Sequence, residues 1–289
     1  MKVAGFTFIK NAIIYDYPIV EAINSILPIC DEVYVALGKS DDETEALIKS
    51  INPEKIKILK TLWDENLKQG GQVLAVETNK AFQAIPIYYD WCFYIQGDEA
   101  VHEKYLPVIN QAMLHFKSNK KVDGLLFKYL HFYGSYDYIG NSSGWYNNEI
   151  RIIKNNKNIY SYKDAQGFRK NNNKKLSVKP IEAYIYHYGW VKNPKAMQRK
   201  QEELNKLWHD DNWIDKNVLK AEEFDYSQID SLMKFTSSHP KVMLKRIANK
   251  NWQFEFDLKH NKTKIKDQLK QLAFKLFGWE IGYKNYKKV

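Results

Sequence analysis

The stretch DWCFYIQGDEAVHE, residues 90–103, carries the clearest chemical signal in the chain. An apolar, aromatic run stops on Gln96-Gly97 and is followed at once by Asp98 and Glu99. Such a run reads as a buried strand, and carboxylates at its end face whatever cleft the sheet borders. A hard divalent cation that also binds a diphosphate is held by one or two carboxylates plus phosphate oxygens, which makes Asp98 a candidate ligand. The plainer role for Asp98 or Glu99 is to cap the helix expected to start near Lys104, since a helix start favours acids.

The elements that would position this turn are legible as alternating short apolar runs and amphipathic segments. Residues 2–9, 31–37, 55–60 and 91–95 read as strands, and 18–27, 41–51 and 72–85 as helices. In the first helix, Ile19, Ala22, Ile23, Ile26 and Leu27 fall at helical spacing. The β-α-β-α-β-α-β order predicts an α/β fold with a mostly parallel sheet flanked by helices, whose ligands bind at the carboxyl ends of the strands. A helix over 104–116 and strands over 123–136, 149–154 and 181–190 follow. Beyond Pro194 the pattern turns helical and polar, which sets a catalytic domain at 1–190, a helical extension at 191–260 and a basic tail at 261–289. The stretch KNNNKK, 170–175, reads as a solvated turn.

WCFYIQGDEAVHE resembles the strand and metal-binding turn of inverting family 2 glycosyltransferases of the GT-A type, where a hydrophobic strand ends in an acidic DxD-like motif. Further matches in order are the opening strand FTFIKN, which ends on Asn11, the turn GKSDDET, similar to the family's G-S-x-D-G-T loop, the helix VLAVETNKAF and a late HYGW. The resemblance covers roughly residues 1–190 and implies a GT-A-like fold with a C-terminal helical extension. It implies that Asp98 contacts Mn²⁺ or Mg²⁺ and, through the metal, a nucleotide diphosphate, with His187 as a further ligand. Gln96 stands where the motif's first aspartate would be, so its role is limited to hydrogen bonding with ribose or sugar. Asn11, Asp41 and Asp42 fall on the nucleotide-sugar side, although Ser40 to Glu43 also suit a helix cap. Asp164, in SYKDAQGFRK, is the positional match for the base that deprotonates the acceptor hydroxyl, with Glu99 and Glu149 as competitors. Arg151 and Arg169 are candidates for phosphate or acceptor groups, surface ion pairs being the commoner use of such arginines. Trp145 and Tyr146, in the Gly/Ser/Asn-rich segment 133–149, either stack on a sugar ring or pin that segment to the domain.

The formal charge of +10 is concentrated: nine lysines against Asp267 and Glu280 put +7 into residues 259–289 and leave +3 for the rest. That distribution argues against a nucleic-acid binder and localises any attraction to the tail. Ile265, Leu269, Leu272, Ala273 and Leu276 fall on one helical face, a basic amphipathic pattern suited to the inner face of an anionic membrane and to a glycan or lipid-linked glycan acceptor. The alternative is that this face packs on the catalytic domain. Cys30 and Cys92, with no CxxC spacing, and an N-terminus lacking a long apolar h-region predict a cytoplasmic protein. Two other function classes stay open: a nucleotidyltransferase on a similar sheet, which would want a glycine-rich phosphate loop that FTFIKNAIIYDY lacks, and a non-enzymatic carbohydrate- or nucleic-acid-binding protein.

Overall fold

The computed structural model describes residues 1–64, 67, 70–208, 213, 216, 221–262, 276 and 284–289. The first half alternates as expected: β1 (Val3–Ile9), α1 (Ile19–Ile26), β2 (Glu32–Gly38), α2 (Thr44–Lys49), β3 (Ile56–Thr61), α3 (Gln72–Ala84) and β4 (Trp91–Tyr94). Then come β5 (Glu99–Val101), α4 (Leu106–Phe116), β6 (Gly124–Tyr133), β7 (Tyr138–Gly140), β8 (Asn148–Lys154), β9 (Ile159–Tyr162), β10 (Gly167–Lys170), β11 (Lys174–Lys175) and β12 (Ser177–Trp190). The chain continues with α5 (Pro194–Trp208), β13 (Leu232–Lys234), α6 (Leu244–Ala248) and β14 (Lys287–Lys288). The basic amphipathic stretch expected over 265–279 lies, except for Leu276, outside the described residues.

Strands β3, β2, β1 and β4 run parallel, and β8 is inserted antiparallel between β4 and β6. The long β12 runs parallel to β6 and carries β5 antiparallel on its other edge. A separate small sheet is made of β9, β10 and β11. Strands β1 and β4 are buried on both faces, which is why they read as continuous apolar runs, while the edge strand β3 is largely exposed and alternates. In β4, Trp91 and Phe93 join the core with α1, while Cys92 and Tyr94 join Phe6, Phe82 and Phe168 on the opposite face. A third cluster of Phe132, Tyr136, Tyr186 and Tyr188 fixes the C-terminal segments onto β6 and β12, so much of the aromatic content is core.

The acid turn does not cap a helix. Glu99 opens β5, which pairs with β12 as Glu99 opposite His187, and the following helical turn is capped by the His102 side chain, which accepts from Lys104 N–H. The Glu99 carboxylate is instead buried against Arg151, also fully buried, in a two-pronged pair with Nε to Oε2 at 2.9 Å and Nη2 to Oε1 at 2.8 Å. Tyr129 donates its hydroxyl to Oε1 at 2.8 Å, and Gln96 N–H donates to Oε2 at 3.1 Å. The Arg151 guanidinium lies over the rings of both Tyr94 and Tyr129 and donates to the carbonyl of Gln166. Four elements therefore converge on one ion pair: the β4–β5 turn, β6, β8 and the β9–β10 turn. This use excludes Glu99 as a base and Arg151 as a surface or phosphate-binding group.

Removing one partner leaves the other as an uncompensated buried charge. Glu99→Leu alone should cost about 3–5 kcal/mol in a urea unfolding series, and adding Arg151→Met should recover much of that loss. A single variant within ~0.5 kcal/mol of wild type would show that the pair does not hold these elements together.

Candidate active site

A cavity of about 510 Å³ opens at the carboxyl ends of β1 and β4. Gln96, Gly97 and Asp98 form one part of its wall, and Phe8, Lys10 and Trp63 another. Asp164, His187 and Tyr146 also line it, together with Lys200, Glu203 and Trp208 of α5. Four of the expected site residues, Gln96, Asp98, Asp164 and His187, thus meet in one space. Asn11, Asp41 and Asp42 are not among its lining residues.

Those three instead lock two loops together. Asn11, with φ of 51°, donates through Nδ2 to Asp41 and accepts from Asp41 N–H at 2.8 Å. Asp42 accepts from the N–H groups of Ile13, Ile14 and Thr44 at 2.9–3.0 Å and from the Thr44 hydroxyl. Burial opposes ionisation of Asp42, but Thr44 and these N–H donors hold its carboxyl below the usual range. Ser40 to Glu43 therefore serve the helix-start role, and the clamp shapes the loop that carries Lys10.

Asp98 sits where the buried strand ends, with its side chain 13% exposed. Its Oδ2 accepts from Lys200 Nζ at 3.0 Å, and Lys200 also donates to the Gly189 carbonyl at 2.8 Å. His187 Nε2 lies 3.8 Å from Asp98 Oδ1. Burial alone would raise the Asp98 carboxyl, yet Lys200, by its charge and its hydrogen bond, with His187 and Lys192 beside it, holds it well below the ordinary carboxylate range. Gly189 is required here: a Cβ on it would come within 2.6 Å of His187 Nε2 and 2.8 Å of Asp98 Oδ2.

The tautomers of the two neighbouring histidines follow from their partners. His131 Nε2 contacts the Tyr146 carbonyl at 2.8 Å, and a carbonyl only accepts, so His131 Nε2 carries the proton. Burial, then the neighbouring His187, pushes His131 down to about 3, so it is neutral near pH 7 and its Nδ1 is an acceptor. His187 must then donate from Nδ1 across the 3.1 Å contact, which leaves its Nε2 lone pair on the Asp98 side.

Asp164 occupies the β9–β10 turn between Lys163 and Ala165, whose φ values are 54° and 62°. A left-handed conformation costs a non-glycine residue about 1 kcal/mol or more, and strain of this kind concentrates at functional sites. The turn is held from outside: Gln96 Nε2 donates to Ala165 O, and Arg151 donates to Gln166 O. On its far side, left-handed Gly71 at the start of α3 leaves no spare room, since a Cβ there would lie 3.1 Å from Asp164 Cβ and 3.0 Å from Trp208.

The divalent ion implied by the sequence would find two side-chain donors, Asp98 and His187, with an amide at Gln96 in place of a second acid. One oxygen of Asp98 is already engaged by an ammonium, and among the described residues no three His, Cys, Asp or Glu side chains gather around one point. This donor set does not fit a divalent-cation cage. Sequence reasoning missed Lys200, Tyr17, Trp63 and Trp208. Lys200 is one of several basic residues on a polar helix beyond the expected domain boundary, and nothing local distinguishes it.

Of the remaining candidates, Trp145 and Tyr146 pack on His131, with ring centroids 5.0 and 4.4 Å away, so they pin their loop to the domain. Arg169 is buried and donates to Asn285, fastening the C-terminal segment. No family model and no curated protein matches the chain. Among solved structures it is similar to a 1–349 fragment of S. aureus TarS, with a TM-score of 0.39 and 14% identity over 71% of this chain and 64% of that one. It is also similar to S. aureus TarS, at 0.38 and 15% over 77% and 41%, respectively. A third is glucosyl-3-phosphoglycerate synthase from Mycobacterium tuberculosis in complex with Mn²⁺, uridine diphosphate and phosphoglyceric acid, at 0.31 and 15% over 45% and 43%. The chain spans less than two thirds of each of these, and likeness at this level carries no functional weight.

Glu149, nearly fully buried on β8, is raised to about 7, chiefly by burial; Arg151 opposes this and Asp164 adds to it. The folded state therefore holds a proton that the unfolded chain, with an ordinary value of 4.5, gives up sooner. The resulting stability is fully present below about pH 4.5 and is lost as pH rises through about 7, roughly 3 kcal/mol in all. Glu149→Gln should flatten this decline in denaturant unfolding measured from pH 4 to 8. An unchanged slope would locate the pH dependence elsewhere.

Proposed function

We propose that the chain is a glycosyltransferase that moves a sugar from a nucleotide-sugar donor to a hydroxyl acceptor with inversion. One observation carries this reading: a single cavity at the carboxyl ends of parallel strands holds an acid on a strained, externally braced turn, a separate carboxylate–ammonium pair and aromatic walls. Its volume of about 510 Å³ is within the range of pockets that enclose a small-molecule ligand. Phe8, Trp63 and Lys10 offer the planar, cationic wall that suits a nucleoside and its phosphates. The diphosphate then falls toward the end of β4, and the acceptor enters beside Tyr146 and Trp190.

In this reading Asp164 takes the proton from the acceptor hydroxyl as its oxygen attacks the anomeric carbon. The bond from that carbon to the diphosphate oxygen breaks, and the electron pair leaves with the nucleoside diphosphate. His187 Nε2, as a lone-pair acceptor, suits a hydroxyl of donor or acceptor and orients it. Among the described residues no helix is long and apolar enough to cross a membrane. A glycan or lipid-linked acceptor, reached at an anionic membrane through the basic tail, is the form of this proposal that the charge distribution favours.

Release of nucleoside diphosphate from a panel of nucleotide sugars tests the assignment. Asp164→Asn should slow turnover by about 10²–10⁴-fold while donor affinity stays the same. Full turnover in that variant would remove Asp164 from the chemistry.

A further inference from the structure

Lys200 has an unusual position for a lysine. Its side chain is 7% exposed, yet it lines the cavity, with the ammonium fixed by Asp98 Oδ2 and the Gly189 carbonyl. Those two hydrogen bonds use two of its three N–H donors. A second ammonium, that of Lys192, is fully buried nearby, where it donates to the Asp16 carbonyl. Both lie over the ring of Tyr17, with Nζ at 4.7 Å for Lys192 and 5.0 Å for Lys200 from its centroid. Lys200 thus contacts Asp98 directly and Lys192 acts on it from further away, with Tyr17 beside both ammonium groups. Burial lowers Lys192 to about 7, so the fixed positive charge beside Asp98 rests on Lys200, while Asp164 and Glu203 line other parts of the cavity. An ammonium fixed at the cavity wall draws an anion, and a divalent ion entering beside Asp98 would have to expel Lys200.

We propose that Lys200 does the work of the divalent ion: its ammonium, oriented by Asp98 and Gly189, receives the diphosphate of the nucleotide, so binding and transfer run without metal. The inference rests on the glycosyltransferase reading above and deepens it. As the bond from the anomeric carbon to the leaving oxygen breaks, the charge that develops on the diphosphate is met by Lys200, while the acceptor proton goes to Asp164. A fixed cation in a water-poor site stabilises such charge without first reorganising, as a bound metal would. Asp98 then acts as a positioning residue.

The test is calorimetric binding of uridine, guanosine, adenosine and cytidine diphosphates to the full chain, in EDTA and in Mn²⁺. At least one should bind in EDTA with an affinity within about threefold of that in Mn²⁺. Lys200→Met should weaken it by about ten- to a hundredfold, the worth of a hydrogen bond to a charged group, while Lys200→Arg retains most of it. Unliganded melting curves separate lost binding from lost folding, and the wild-type EDTA comparison stands even if Lys200→Met does not fold. Binding seen only with Mn²⁺ or Mg²⁺ overturns the lysine inference and leaves the transferase reading intact. Failure of every nucleotide under both conditions overturns both.

Discussion

The buried pair between Glu99 and Arg151 is the constraint on which the rest of the site depends. Two charges fully removed from water are tolerable only when each is matched in geometry and its remaining hydrogen-bonding capacity is met. Here Tyr129, the Gln96 backbone and two carbonyls complete the set. Meeting that requirement fixes where the β4–β5 turn, β6, β8 and the β9–β10 turn lie relative to one another. Asp98, one residue before Glu99, is thereby aimed at the cavity, and Asp164, two residues before Gln166, is held in its strained turn. The acid that does no chemistry sets the geometry of those that can.

A second layer of constraint comes from α5. Its residues 200–208 form a wall of the cavity, and Lys200 brings a positive charge to Asp98, the carboxylate that faces it at the end of β4. Gly189 leaves the space for Asp98, His187 and Lys200 to converge, and its carbonyl is one of the groups that hold the ammonium. Backbone and side chain at this one position thus serve the same arrangement. The helix that the sequence assigns to an extension is integral to the site.

The sheet was legible because buried parallel strands and amphipathic helices leave strong local periodicities; β1 to β4 and α1 to α3 fall within a few residues of expectation. The acid turn was legible for the same reason, since an apolar run ending in carboxylates is a local pattern. What local pattern could not reveal was pairing. Glu99 and Arg151 are 52 positions apart, and nothing in either neighbourhood shows that they meet. The short β5 was not read from the sequence because its partner, β12, lies far along the chain. Asp42 illustrates the reverse case: its motif match was visible, but the N–H groups that occupy it come from a loop 28 residues away. Lys200 was hidden because a lysine on a polar helix is usually solvated, and only the fold places it against Asp98.

The most direct measurement is a crystal structure of the full chain with uridine diphosphate, or whichever nucleoside diphosphate binds, grown in EDTA. The account predicts the β-phosphate within about 3 Å of Lys200 Nζ, with the Lys200–Asp98 contact retained. A diphosphate bound outside this cavity, or one seated beside Asp98 with Lys200 swung away, would contradict it.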